Sequence, residues 1–183
     1  MLRNPINLPN EGLSVYREWP NNAVMPVSLE LVKQHLKVDY DNEDSLIQSY
    51  IDGIVWKVEQ AYSIALVPDT TVTFTLNQLN KHVPFPIAPQ VSVQSVLIDG
   101  TATTDYNIYG VGDGKYIMFT AATYQPQKQL QVNYTAGVEP SPEVKSLLLE
   151  LIADAYEYRD SSRALLHTAF KALGKYRNMA YAA

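Results

Sequence analysis

The sequence predicts an α+β fold: an α-helical bundle of N- and C-terminal helices with an inserted small antiparallel β-sheet. Apolar residues recur at spacings of three and four before residue 64 and again after residue 141. Between these stretches the period changes to short β-branched and aromatic runs broken by glycine. A chain of 183 residues, 46% hydrophobic and 18% charged, is long enough for one core-bearing domain.

Residues 1–27 hold Pro5, Pro9, Pro20 and Pro26 among several asparagines, a composition that resists helix and predicts an extended N-terminal arm. Ser28 is an N-cap candidate for a short helix, Leu29 to Leu36, followed by an acidic loop from Asp39 to Asp44. Asp44 is then expected to cap a long helix whose stripe runs through Ile47, Ile51, Ile54, Val55, Val58 and Tyr62. Trp56 falls on the opposite side of that helix, so it needs a second surface.

Residues 68–137 read as the β insertion, with strands at 71–76, 91–98, 106–109, 116–120 and 130–135. Asp99-Gly100 and the cluster Gly110, Gly112, Gly114 mark the turns. Ser141-Pro142-Glu143 then has the pattern of a helix start, with a cap, a proline in the first turn and an acid at the positive end of the dipole. The stripe Val144, Leu148, Leu151, Ile152 and Ala155 is widened by Leu149 and Tyr156, which predicts packing on two sides. Glu150, Asp154 and Glu157 share the remaining face. A last helix begins near Ser162, and Gly174 ends it, leaving 174–183 as a C-terminal tail.

Composition excludes several function classes. With no cysteine there is no disulfide framework, thiolate metal site or cysteine nucleophile, which suits a reducing compartment. No run approaches the roughly 20 apolar residues that cross a bilayer, so the chain reads as soluble. Net charge is -5, yet residues after Asp160 carry +4 and residues 1–160 carry -9. Such asymmetry points to a partner for the basic end, against the plainer reading of a solvated tail.

No motif carries catalysis. His35, His82 and His167 are scattered, without metal-ligand spacing. Asp39, Asp41 and Glu43 begin like a calcium loop, but Asp44 stands where glycine is needed and Tyr50 where glutamate is needed. The stretch from Gly110 to Lys115 lacks the glycine spacing and following helix of a phosphate loop. Asn133-Tyr134-Thr135 fits a glycosylation pattern only by chance, lying in a predicted strand of a chain without a signal peptide. The acidic body argues against sequence-specific nucleic-acid binding. The sequence therefore predicts no enzyme, no cofactor and no metal.

A linear pattern carries more. A proline, a capped helix ending in Leu-basic-Val-Asp and an acidic loop precede the long helix, in the runs Pro26 to Asp39 and Asp44 to Ile51. The segments 85–89, 91–96, Asp99-Gly100, 106–108 and 132–137 continue the order, which closes with Ala155 to Arg159 and Leu173 to Arg177. Over roughly residues 26 to 160 this order resembles the phage head-tail connector family, also called adaptor or head completion proteins. Two departures stand out: the long proline-rich arm before Pro26, and the absence of the family's frequent asparagine before Arg159.

The resemblance implies a connector domain over 28–173 and a structural virion protein at the head-tail junction, assembled in the host cytoplasm. It implies a homo-oligomeric, dodecameric ring bound to the portal protein, with a downstream neck, stopper or tail protein as the next partner. Genomic DNA would pass through the channel without sequence-specific binding. Interface candidates are Trp56, Leu149, Tyr156, Arg163, Phe170, Lys171, Lys175, Tyr176 and Arg177, those from Arg163 onward being expected on the portal. Glu150, Asp154 and Glu157 are channel-facing candidates, where like charge keeps DNA from adhering. The alternative from another class is a ligand-binding or hydrolytic domain with a site on the inserted β-sheet, at Asp105, Tyr106 and Tyr109.

Overall fold

The computed structural model describes residues 4–6, 12–159 and 168–178. These residues form nine strands and four α-helices. The strands are β1 (Asn4–Ile6), β2 (Leu13–Glu18), β3 (Thr70–Leu76), β4 (His82–Pro84), β5 (Gln90–Ile98), β6 (Thr101–Ala102), β7 (Tyr106–Tyr109), β8 (Tyr116–Phe119) and β9 (Leu130–Ala136). The helices are α1 (Leu29–Leu36), α2 (Asp44–Tyr62), α3 (Pro142–Tyr158) and α4 (Thr168–Leu173).

Two compact units result. One comprises Met1–Ala23, Pro68–Val138 and Asn178–Ala183, and the other Val24–Val67 and Glu139–Arg177. In the first, a six-stranded sheet has the order β1-β2-β3-β9-β5-β6 and a three-stranded sheet the order β4-β8-β7, all antiparallel. The register puts Val15 opposite Phe74, Phe74 opposite Val132 and Val132 opposite Val96, so one apolar row crosses four strands. All four side chains are buried. On the other face a polar row runs from Thr73 to Asn133 at 2.5 Å and from Asn133 to Ser95 at 3.0 Å. Alternation of side chains along each strand produces this division into a dry and a wet face.

The expected helical bundle with a small inserted sheet is therefore wrong. The sheets hold nine strands, and two of these come from before the first helix. Within the proline-rich opening, Leu13 to Glu18 alternate strictly, with Leu13, Val15 and Arg17 buried and Ser14 and Tyr16 exposed. Its full-length pairing with β3, together with burial of that inward face, outweighs the helix- and strand-resisting composition around it. Short β4, ended by Pro84, supplies a further strand that its composition conceals.

In the second unit α1 starts where Ser28 accepts a hydrogen bond from the Leu31 N–H at 3.2 Å, satisfying one orphan donor of the first turn. It stops at Lys37, in the left-handed conformation with φ 58°. Ser141 caps α3 in the same way through the Val144 N–H, with Pro142 in the first turn. Val32, Ile47, Ile51, Ile54, Val55, Val58, Val144, Leu148, Leu151, Ile152 and Leu173 are buried. Most of these lie on the apolar stripes of α2 and α3, as the spacing predicts.

Candidate interaction surface

The acidic loop between α1 and α2 is held from two sides. Lys33 donates to Asp41 at 2.6 Å and to Asp44 at 2.7 Å, which raises the Lys33 ammonium and lowers the Asp41 carboxyl from their ordinary ranges. Asp44, expected to cap α2, is instead its first helical residue, with its carboxylate turned to Lys33. The N-cap position belongs to Glu43, whose side chain makes no cap bond.

Glu43 is the residue that sequence reasoning missed. Its carboxylate receives the Tyr156 hydroxyl and the Arg159 guanidinium, the latter at 3.3 Å. The Tyr156 bond, followed by that of Arg159, holds the Glu43 carboxyl below its usual range. The same bond, with a further one involving Tyr40, pushes the Tyr156 hydroxyl up. The Arg159 guanidinium lies 4.9 Å from the Tyr156 ring centroid, and Tyr50 meets that ring edge-on at 6.5 Å. One carboxylate thus fixes an aromatic patch at the surface, with Tyr40 48% exposed beside it. A glutamate four residues before Ile47, the first residue of the stripe, adds no apolar signal, which is why the spacing does not mark it.

The other candidates separate. Trp56 and Leu149 are half-buried. Phe170, expected as a contact residue, is buried 5.1 Å from the Tyr62 ring, and its carbonyl accepts the Tyr62 hydroxyl at 2.5 Å. Burial raises the Tyr62 hydroxyl above its ordinary range. Lys175 and Tyr176 are both taken by Glu143, through an ion pair and a 2.9 Å hydrogen bond. Lys171 and Arg177 are exposed, and neither is in an ion pair among the described residues. Arg163 and His167 lie outside the described residues. Glu150 and Glu157 are exposed and Asp154 is half-buried, along one face of α3.

On the β-sheet, Asp105 braces a turn: its carboxylate accepts from Thr120 at 3.0 Å and from Thr123. Tyr106 packs 6.4 Å from Phe119, and Tyr109 stacks 5.9 Å from Tyr116. These contacts give each residue a structural role. Among the described residues, no group of three or more acidic or histidine side chains is placed to hold a metal, and no helix is long and apolar enough to cross a membrane.

Residues 26–99, somewhat under half of the chain, match the family model of the phage gp6-like head-tail connector proteins. The family resembled is the family matched. The head-tail connector match covers α1, the acidic loop with Lys33, Asp41 and Glu43, the whole of α2 and strands β3 to β5. It supports a structural connector role in a phage particle, in contact with other head and tail proteins, and the family is a structural one rather than a family of enzymes. No curated protein matches the chain.

Proposed function

We propose that this chain is a connector subunit that assembles with its own copies into a ring, dodecameric to match the portal, and links the capsid to the neck or tail while DNA passes through. The match over residues 26–99 carries this reading. The physical requirement of a ring is heterologous contact on two different faces of each subunit. The helical unit offers surface for it: half-buried Trp56 on α2 and half-buried Leu149 and Tyr156 on α3. Aromatic side chains of this kind dominate interface energetics. Glu150, Asp154 and Glu157 are proposed to face the channel, where an acidic lining repels the phosphate backbone.

Electron microscopy of the purified chain mixed with portal rings tests the reading: an added ring beneath the portal is expected, and bare portals at saturating chain sink it. Trp56→Asp tests the self-contact. A folded monomer by circular dichroism that no longer assembles in sedimentation is expected, whereas wild-type assembly of that variant removes Trp56 from the interface.

A further inference from the structure

The tyrosine patch and the basic end of the helical unit are complementary in charge and chemistry. Tyr40 bonds to the Glu43-fixed Tyr156, and its sequence neighbours Asp39 and Asp41 are exposed with it, Asp41 being ion-paired with Lys33. Tyrosine and arginine held rigid at a surface lose little conformational freedom on contact, and for that reason they recur as interface anchors. Lys33 and Arg159 pair with Asp41, Asp44 and Glu43, which leaves Asp39 as the carboxylate of this loop in no ion pair among the described residues, open to a cationic occupant. The chain supplies one itself, since every charged residue after Asp160 is basic. Of those described, Lys175 is engaged by Glu143, while Lys171 and Arg177 project from the surface unengaged by any carboxylate among the described residues.

We propose that the Tyr40–Tyr156 patch of one copy receives the Lys171–Arg177 end of a second copy. This rests on the connector reading and deepens it. The two surfaces are different parts of one subunit, so their pairing is heterologous, the kind of contact that closes rings rather than two-fold dimers. It also gives the basic end, expected from the sequence to meet a portal, a partner within the ring.

Two double variants of the full chain test this. Asp39→Lys with Tyr40→Ala damages the patch, and Lys171→Glu with Arg177→Glu reverses the basic end. All four side chains are exposed, so circular dichroism matching the wild type is expected. Should either double variant misfold, Asp39→Asn and Lys171→Gln carry the same comparison. Sedimentation velocity, with and without portal rings, reads assembly. Each variant alone is expected to raise the concentration for half-assembly at least tenfold. Their equal mixture, which keeps one intact interface, is expected to give a one-to-one heterodimer that neither forms alone. Wild-type assembly by either variant overturns the assignment and leaves the connector reading standing. Loss of portal binding by the basic-end variant, with self-assembly unchanged, also overturns it and gives that end to the portal. A wild-type chain that neither self-assembles nor binds portal rings overturns both readings.

Discussion

The Tyr134 hydroxyl faces both backbone polar groups of Ile87, accepting its N–H at 3.0 Å and donating to its carbonyl at 3.1 Å. A side chain of β9 thereby replaces the strand that the segment between β4 and β5 would otherwise need. The Tyr134 ring also packs 4.9 Å from Phe85 and 6.0 Å from Phe74. Tyr134→Phe keeps the ring contacts and orphans two buried backbone groups. Each unmade buried bond costs about 1–3 kcal/mol, so a loss of about 2–4 kcal/mol in urea denaturation is expected. Helical circular dichroism per folded molecule should not change.

This part of the fold was only half legible in the sequence. The strand around Tyr134 was marked by β-branched alternation, and the stripes of α2 and α3 by their spacing, because periodicity is a local property. Leu13 to Glu18 reads as an arm in the sequence because its partner, β3, is more than fifty residues away. Glu43 reads as loop in the sequence because its partners, Tyr156 and Arg159, lie more than a hundred residues on. Ser28 and Ser141 were legible as caps, since a cap contacts only the next turn. Phe170 and Lys175, expected on the portal, are engaged by Tyr62 and Glu143, contacts that only folding reveals.

Glu59 is fully buried in α2, and one of its carboxylate oxygens accepts the N–H groups of Leu66 at 2.7 Å and Val67 at 3.2 Å. It ties the segment after the helix back onto its last turns, where Ser63 turns the chain with φ 53°. Glu59→Leu leaves both donors buried without this acceptor and is expected to cost about 2–5 kcal/mol by denaturant titration. Glu59→Gln keeps an acceptor oxygen in place, so it should recover a large part of that loss. Equal losses in the two variants would show that charge, rather than acceptance by the oxygen, is what the site requires.

Gly110 opens the connection from β7 to β8 with φ +93°, and a Cβ there would stand 2.4 Å from the Gly114 carbonyl oxygen. The obstacle is backbone, so it cannot rotate away as a side chain would. Gly110→Ala is expected to cost about 2 kcal/mol or more, combining strained backbone with the clash. Hydrogen exchange of Tyr116 and Met118, whose amides face β7, should accelerate as the hairpin loosens. Gly114→Ala is the control: a Cβ there meets nothing within 4 Å, and stability is expected to stay close to the wild type.

Glu143 clasps the chain beyond α4 by holding Lys175 and Tyr176 together, with the Lys175 ammonium 5.0 Å from the Tyr176 ring centroid. The Lys175 pair, then the Tyr176 bond, holds the Glu143 carboxyl below its usual range. Because the folded value is the lower one, the clasp's contribution is complete above the ordinary carboxylate range. It drains as pH falls through the depressed folded value. For Lys175 the direction reverses: its ammonium is raised by Glu143, so that contribution is complete below the ordinary lysine range and is lost as pH rises through the raised value. The segment should therefore stay docked across neutral pH and loosen at both extremes. It should also loosen in high salt, since both partners are exposed and screened. Tyr176 ring resonances followed by NMR should move toward random-coil values on acidification, and in Glu143→Gln the acid-side movement should disappear. A tyrosine signal that titrates identically in wild type and variant would show that another group holds this segment.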